Sequence, residues 1–317
     1  MPDTAASAAA AKPALANQRV AWFNGKIMPE SEVRLSFRDR GVKYGDGAFD
    51  MTRTFSHRIF RLKEHIDRYY RTLKYLRLDP GMSPAEMSRV TEDVLARNLH
   101  LLPKDDDYWV AQRVTRGVED VDYEKPGVNV IIECFPLPLK SRAALYRDGI
   151  KVIVPSTRRT PPEALSPRAK THNYLNMIVA EQEVKAIDPN AWAVLLDMNG
   201  NLCEGIGANI FTVRDGELYT PRLNFILGGI SRQTTIELAE AAGIKVNETD
   251  IDLYDAYTAD EVFLTSTSLC IAPVATLNGA SFAKAGIPGP VTKRLSDAYI
   301  KLVDCDFVAQ YLKRLPA

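Results

Sequence analysis

Arg168-Ala169-Lys170-Thr171-His172-Asn173-Tyr174-Leu175-Asn176 follows a proline-punctuated loop, Arg159-Thr160-Pro161-Pro162 to Ser166-Pro167, and leads into a helical pattern from about Asn173 to Ile187. A loop that feeds a helix start is rigid, and its free N–H groups and dipole favour anions. A lysine held and partly desolvated there suits covalent chemistry with a carbonyl. A solvated surface lysine is the plainer reading, because lysines are mostly exposed. The rest of the chain decides between the two.

At 317 residues the chain is long enough for two cores. Lys plus Arg and Asp plus Glu are 40 each, so no global field draws it to nucleic acid or an anionic membrane. Cys134, Cys203, Cys270 and Cys305 are widely spaced without a C-x-x-C pair, which predicts reduced thiols in a cytoplasmic protein rather than a metal site. No apolar run reaches membrane-span length. Residues 1–18 are Ala-rich without a basic start and hydrophobic stretch, and are expected to be a disordered arm.

Upstream of Lys170, Asn24-Gly25 turns a short hairpin. Gly45 and Gly47 lack the third glycine and following helix of a dinucleotide site. Strand alternation puts Phe49, Met51 and Arg53 on one face, so Arg53 is either an edge residue or lines an anion pocket. Helices are predicted from about Leu62 to Leu76, with Arg68 beside the apolar stripe, and from about Pro84 to Asn98. Trp109, Ala111 and Arg113 share a strand face, Val128 to Phe135 is a second strand, and the prolines after it mark a domain boundary. Downstream, short strands are expected at 149–155, 192–197, 203–204, 209–213, 217–220 and 261–269. Glu204 lies among glycines that admit a flat ligand, where it is either a partner for a protonated ring nitrogen or an ordinary strand carboxylate. Leu227-Gly228-Gly229-Ile230-Ser231 opens a helix, which is a phosphate site or a plain serine cap. The hydroxyl run Thr265-Ser266-Thr267-Ser268 offers turn chemistry or further phosphate donors. A lysine, a carboxylate, an arginine and two anion sites without metal ligands suggest pyridoxal 5'-phosphate.

Six motifs in order carry a resemblance: Tyr-Gly-Asp-Gly-Ala-Phe (44–49), Glu-His-Ile-Asp-Arg (64–68), Lys-Thr-His-Asn-Tyr-Leu (170–175), Glu-Gly-Ile-Gly-Ala-Asn-Ile-Phe (204–211), Leu-Gly-Gly-Ile-Ser-Arg (227–232) and Thr-Ser-Thr-Ser (265–268). From about Arg19 onward the chain resembles the class IV aminotransferases, pyridoxal phosphate enzymes of fold type IV. The resemblance implies a two-domain α+β and α/β architecture: a small N-terminal domain (19–136), a linker (137–149) and a larger β-barrel-like domain (150–317). It implies that Lys170 carries the cofactor as a Schiff base and shuttles the substrate proton. Glu204 then meets the pyridinium nitrogen and Tyr174 the ring oxygen. Arg68, Ile230, Ser231 and Thr267 are implied around the phosphate, with Gly207, Ala208, Asn209, Leu227, Gly229 and Ser266 completing the cofactor site. The active site would lie between the domains of a homodimer, completed by the second subunit.

The substrate is less sharply implied. Tyr44 and Phe49 match pocket residues of branched-chain aminotransferases, but Ala111 stands where those enzymes carry arginine. The acidic run Glu119-Asp120-Val121-Asp122 opposes the carboxylate grip of D-amino-acid members. The Arg159-Thr-Pro-Pro162 and Val114-Thr-Arg-Gly117 stretches resemble (R)-selective amine transaminases. The expected pocket is Tyr44, Phe49, Met51, Arg53, Trp109, Ala111, Arg113, Thr267 and Ser268, with Arg53 or Arg113 gripping a substrate carboxylate. The expected reaction is ping-pong amino transfer from an apolar, branched-chain type amino acid to an α-keto acid. (R)-amine or D-amino-acid transfer and an aminodeoxychorismate lyase-type elimination are the alternatives. A non-catalytic binding protein would need neither Lys170 nor Glu204.

Overall fold

The structure is a computed structural model that describes residues 18–119 and 127–316. Most of the Ala-rich arm and Asp120–Asp122 of the acidic run lie outside the described residues.

The first half builds a six-stranded sheet in the order β2-β1-β6-β5-β3-β4. Its strands are β1 (Val20–Phe23), β2 (Lys26–Pro29), β3 (Gly47–Phe55), β4 (Arg58–Ile59), β5 (Tyr108–Val118) and β6 (Gly127–Pro136). Asn24 and Gly25 both take positive φ, 46° and 93°, which suits the right-handed strand twist and explains the tight first hairpin. A short helix α1 (Arg40–Tyr44) precedes β3. Two longer ones, α2 (Leu62–Leu76) and α3 (Pro84–Asn98), cover one sheet face. Helix α3 starts where Ser83 Oγ accepts the Glu86 N–H at 3.1 Å and proline fills the first helical position. Ile66, Tyr69, Leu73, Met87 and Val94 interlock with Val110, Val114 and Ile132 to form the first core.

The second half closes on itself. Its strands are β7 (Ile150–Ile153), β8 (Trp192–Leu196), β9 (Leu202–Gly205), β10 (Ala208–Arg214), β11 (Glu217–Pro221), β12 (Val246–Thr249), β13 (Glu261–Ser266), β14 (Cys270–Leu277) and β15 (Ala280–Ser281). β10 pairs with both β13 and β9, and the path β13-β14-β7-β8-β9 returns to β10, so six strands form a closed ring. A closed sheet has no edge in need of a partner. The expected β-barrel-like, two-domain α+β fold is the fold observed. The barrel core includes the stacked Phe211 and Phe263 rings, 5.0 Å apart. The helices of this half are α4 (Leu139–Asp148), α5 (Leu175–Ile187), α6 (Ile230–Ala241), α7 (Leu253–Tyr257), α8 (Pro290–Val303) and α9 (Phe307–Leu312).

Two of the elements that the sequence does not predict bear on the site. The segment after the prolines is not a plain linker: α4 buries Leu139, Ala143 and Tyr146, and Tyr146 stacks on Tyr311 of α9 at 4.7 Å. Pro136 and Pro138 hid that helical spacing. Strand β14, inside the barrel ring, lies behind the hydroxyl run, which masked it as a loop.

Candidate active site

Lys170 is placed by β3. The Phe49 N–H donates to Lys170 O at 3.1 Å, the His172 N–H donates to Gly47 O at 2.9 Å, and Ala48 faces Thr171 in an antiparallel bridge. The Lys170 loop is therefore bridged to β3 of the first sheet while leading into α5 of the second half. Lys170 sits five residues before that helix, which begins at Leu175 rather than Asn173, so sheet pairing and not the helix terminus fixes it. Its side chain is 9% exposed. Nζ donates to Tyr174 Oη at 3.0 Å and stands 4.4 Å from the Phe49 ring centroid.

This amine lines a cavity of about 210 Å³ between the two sheets. The barrel supplies Glu204 to it from β9. One Glu204 oxygen accepts from Arg159 Nε at 3.0 Å and the other from the Leu227 N–H at 2.9 Å. Burial pushes the Glu204 carboxyl up, while Arg159 and the Leu227 N–H pull against that shift. Gly207, Ala208 and Asn209 line the wall after it, and Asn209 Nδ2 donates to Leu227 O at 3.0 Å. A Cβ at Gly229 would meet Asn209 Oδ1 at 2.1 Å, so any side chain there must displace Asn209.

Leu227, Gly229, Ile230 and Ser231 form another wall at the start of α6, where no side chain caps the helix. Its first N–H groups are left open for an anion. Arg68 reaches the same wall, Nη1 donating to Gly228 O at 3.1 Å. It is 6% exposed rather than solvated, because Asp50 on β3 grips its fork at 2.9 and 2.7 Å. Burial works against ionising Asp50, but the Arg68 guanidinium and His65 hold its carboxyl well below the usual carboxylate range. Ser266, Thr267 and Ser268 close the cavity, and Thr267 Oγ1 donates to Met51 O at 3.2 Å.

Of the expected substrate pocket, Phe49, Met51, Trp109, Thr267 and Ser268 line the cavity. Four residues do not. Arg53 is 1% exposed and spent inside the protein: it donates to Thr54 O, Ser268 O and Gln310 Oε1 at 2.9, 3.2 and 3.1 Å and lies 3.7 Å from Asp107. It braces the turn that carries Ser268 and cannot grip a substrate. Arg113 pairs with Glu133 at 2.7 Å and stacks on Phe49, outside the cavity lining. Ala111 is fully buried beneath the sheet surface. Tyr44 is 56% exposed on α1 and is not part of the cavity lining.

Sequence reasoning missed Asp50, Arg159, Trp192 and Arg142. Asp50 left a signal, a lone acid between Ala48 and Thr52 on an inward strand face, which demands a cation. Arg142 left none, because its helix was unrecognised. Among the described residues, no group of His, Cys, Asp and Glu could hold a metal ion and no helix is long and apolar enough to cross a membrane.

An amine, a buried carboxylate and an open helix start facing one interdomain cavity fit the family whose model, Amino-transferase class IV, matches residues 47–277. The chain belongs to the class IV aminotransferases and is an aminotransferase. It is 38% identical over 282 residues to a Methanocaldococcus jannaschii protein provisionally named a branched-chain-amino-acid aminotransferase, covering 88% of this chain and 94% of that one. The D-alanine aminotransferase of Bacillus licheniformis is 28% identical over 278 residues, covering 87% and 94%. The Escherichia coli branched-chain amino acid aminotransferase structure superposes with a TM-score of 0.82 at 30% identity, covering 90% and 95%. The T.th. branched-chain amino acid aminotransferase with pyridoxamine 5'-phosphate gives a TM-score of 0.81 at 29% identity, covering 90% and 94%.

Proposed function

We propose that the protein is a pyridoxal 5'-phosphate-dependent transaminase that exchanges an amino group between apolar, branched-chain type amino acids and an α-keto acid. The observation that carries this reading is the convergence of Lys170, Glu204 and the uncapped start of α6 on one cavity. The donor set fits the cofactor. Glu204 is a buried acceptor suited to a protonated ring nitrogen, and the N–H groups of Ile230 and Ser231 with Arg68 and Thr267 suit its phosphate. Thr265, also on the cavity wall, has a buried hydroxyl without a hydrogen-bond partner among the described residues.

When bound, the coenzyme supplies a conjugated ring that takes up the electron pair left on the substrate α-carbon. Lys170 would hold it covalently, and its Nζ would take the substrate α-proton and return it to complete the transfer. Tyr174 orients that amine through their 3.0 Å contact. Glu204 keeps the ring nitrogen charged, and Arg159 with the Leu227 N–H holds the carboxylate for that task. Phe49, Met51 and Trp109 give an apolar pocket that suits a hydrocarbon side chain and excludes water.

We take 19–136 and 150–317 as the two domains, with 137–149 joining them. Phe37, Val42 and Tyr44 form an exposed apolar strip around α1, 75%, 57% and 56% exposed, which a second copy would cover in a homodimer. Four unpaired thiols suit the reducing cytoplasm. D-amino-acid or (R)-amine transfer is the second reading, supported by Ala111 and by the D-alanine aminotransferase relative.

The test is the visible spectrum of the purified, cofactor-loaded protein during single additions of L-leucine, D-alanine and (R)-1-phenylethylamine without acceptor. Bleaching by L-leucine alone is the expected result. Bleaching by either of the others installs the second reading. Elimination of pyruvate from aminodeoxychorismate with no acceptor requirement would replace transfer by lyase chemistry.

A further inference from the structure

Three arginines line the interdomain cavity: Arg68, Arg142 and Arg159. Two are committed to acids of this chain, Arg68 to Asp50 and Arg159 to Glu204. Arg142 has no carboxylate partner among the described residues. It projects from α4, the unpredicted helix between the halves, and its guanidinium carbon stands 5.2 Å from the Trp109 ring centroid and 5.5 Å from that of Trp192. Its Nη1 donates to Ser268 Oγ. The neighbouring hydroxyls of Tyr146 and Tyr311 are turned elsewhere, donating to the carbonyls of Leu269 and Ser268.

Two indole rings and a hydroxyl fix a guanidinium without neutralising it. Rings attract the cation and shed water from it, but they accept no directed hydrogen bond from its planar fork. Burial lowers the Arg142 pKa, and only the tyrosines pull the other way. A cation held in this manner, facing a cavity, is completed by an anion that brings two coplanar oxygens. Every amino-acid donor and keto-acid acceptor carries such a group on the carbon where the amino group changes places. The two arginines that sequence alone offered for it are committed elsewhere, Arg53 sealed in the core and Arg113 tied to Glu133.

We propose that Arg142, steered by Ser268, Trp109 and Trp192, is the specificity-determining residue that binds the α-carboxylate of amino- and keto-acid substrates. The proposal rests on the transaminase reading and adds to it the requirement that good substrates carry that carboxylate.

The experiment compares the holoenzyme with Arg142→Met, which keeps the stacking volume, and Arg142→Lys, which keeps the charge. Each is titrated calorimetrically with 4-methylvalerate, a carboxylate with no amino group to transfer, and assayed with L-leucine, 4-methyl-2-oxovalerate and 2-oxoglutarate. Expected for Arg142→Met is a KM increase of about 10- to 100-fold for all three substrates, the worth of one charge-assisted pair, with kcat changed much less. Binding of 4-methylvalerate should weaken in parallel, and Arg142→Lys should recover part of both. Unchanged KM and unchanged 4-methylvalerate affinity in a folded Arg142→Met protein would overturn the inference. So would a defect confined to 2-oxoglutarate, which would assign Arg142 to a distal carboxylate instead. Binding is read without turnover: a wild type that holds 4-methylvalerate through Arg142 but transfers no amino group sinks the transaminase reading and leaves the carboxylate site standing.

Discussion

Replacing Arg53 should damage folding far more than substrate binding. Its side chain makes three charge-assisted hydrogen bonds to oxygen and one to Cys270 Sγ, lies 3.7 Å from the Asp107 carboxylate, and stacks 4.1 Å from the Phe55 ring centroid. Removing one member of a buried ion pair costs about 3–5 kcal/mol, because the other is left charged in a poor solvent. Here part of that is offset. Asp107 keeps Thr54 Oγ1, the His57 N–H and Gln310 Nε2 at 2.6, 3.0 and 2.8 Å, and Ser268 O keeps the Tyr311 hydroxyl at 2.6 Å. Arg53→Met, which nearly conserves volume, should therefore cost about 3 kcal/mol, and Arg53→Ala about 2 kcal/mol more for the cavity it opens. Equilibrium urea unfolding of the two variants and the wild type measures both numbers. KM for the keto acid should move less than about tenfold, through a loosened Ser268 turn alone. A stability loss under about 1 kcal/mol together with a KM increase well beyond tenfold would show that Arg53 faces substrate, and the account of this turn would have to be abandoned.

His172 gives a pH dependence. Burial first, then the Arg113 charge, lowers its pKa to about 4, against a weaker pull from Asp39. The unfolded value is about 6.5, so the folded protein binds fewer protons between the two. Stability from this site is complete above about pH 6.5, falls as pH drops through the window, and the loss levels off below about 4 at no more than roughly 3 kcal/mol. His172→Gln should flatten the acid side of a stability-against-pH curve, and equal slopes for variant and wild type would remove His172 as the cause. Gly229→Ala should displace Asn209, whose Oδ1 would lie 2.1 Å from the new Cβ, and with it the Leu227 segment beside Glu204. Retention of pyridoxal phosphate on dialysis should fall about tenfold or more, with about 1–3 kcal/mol of destabilisation from overpacking. Wild-type retention in a folded variant would mean that this wall does not bear on the cofactor.

Local chemistry announced much of this protein. Asn24-Gly25 forced a hairpin, the stripe at Leu62, Ile66, Tyr69 and Leu73 forced an amphipathic helix, and six ordered motifs named Lys170, Glu204 and the start of α6 as parts of one site. The hairpin and the helix are legible because each depends on neighbours a few residues away, and the site is legible because six short motifs in order carry a family resemblance. The fates of the arginines do not. Arg53, Arg68, Arg113, Arg142 and Arg159 are alike as letters, and what separates them is which acid lies opposite: Asp107, Asp50, Glu133, none among the described residues, and Glu204. Those pairings join residues up to 54 positions apart in the chain. They are set by the way β3 meets α2 and the start of β5, by the pairing of β5 with β6, and by the loop before Lys170 lying against β9, while Arg142 is placed by the helix that two prolines concealed. A charge in low dielectric is governed by its nearest counter-charge, and that neighbour is chosen by tertiary packing rather than by sequence distance.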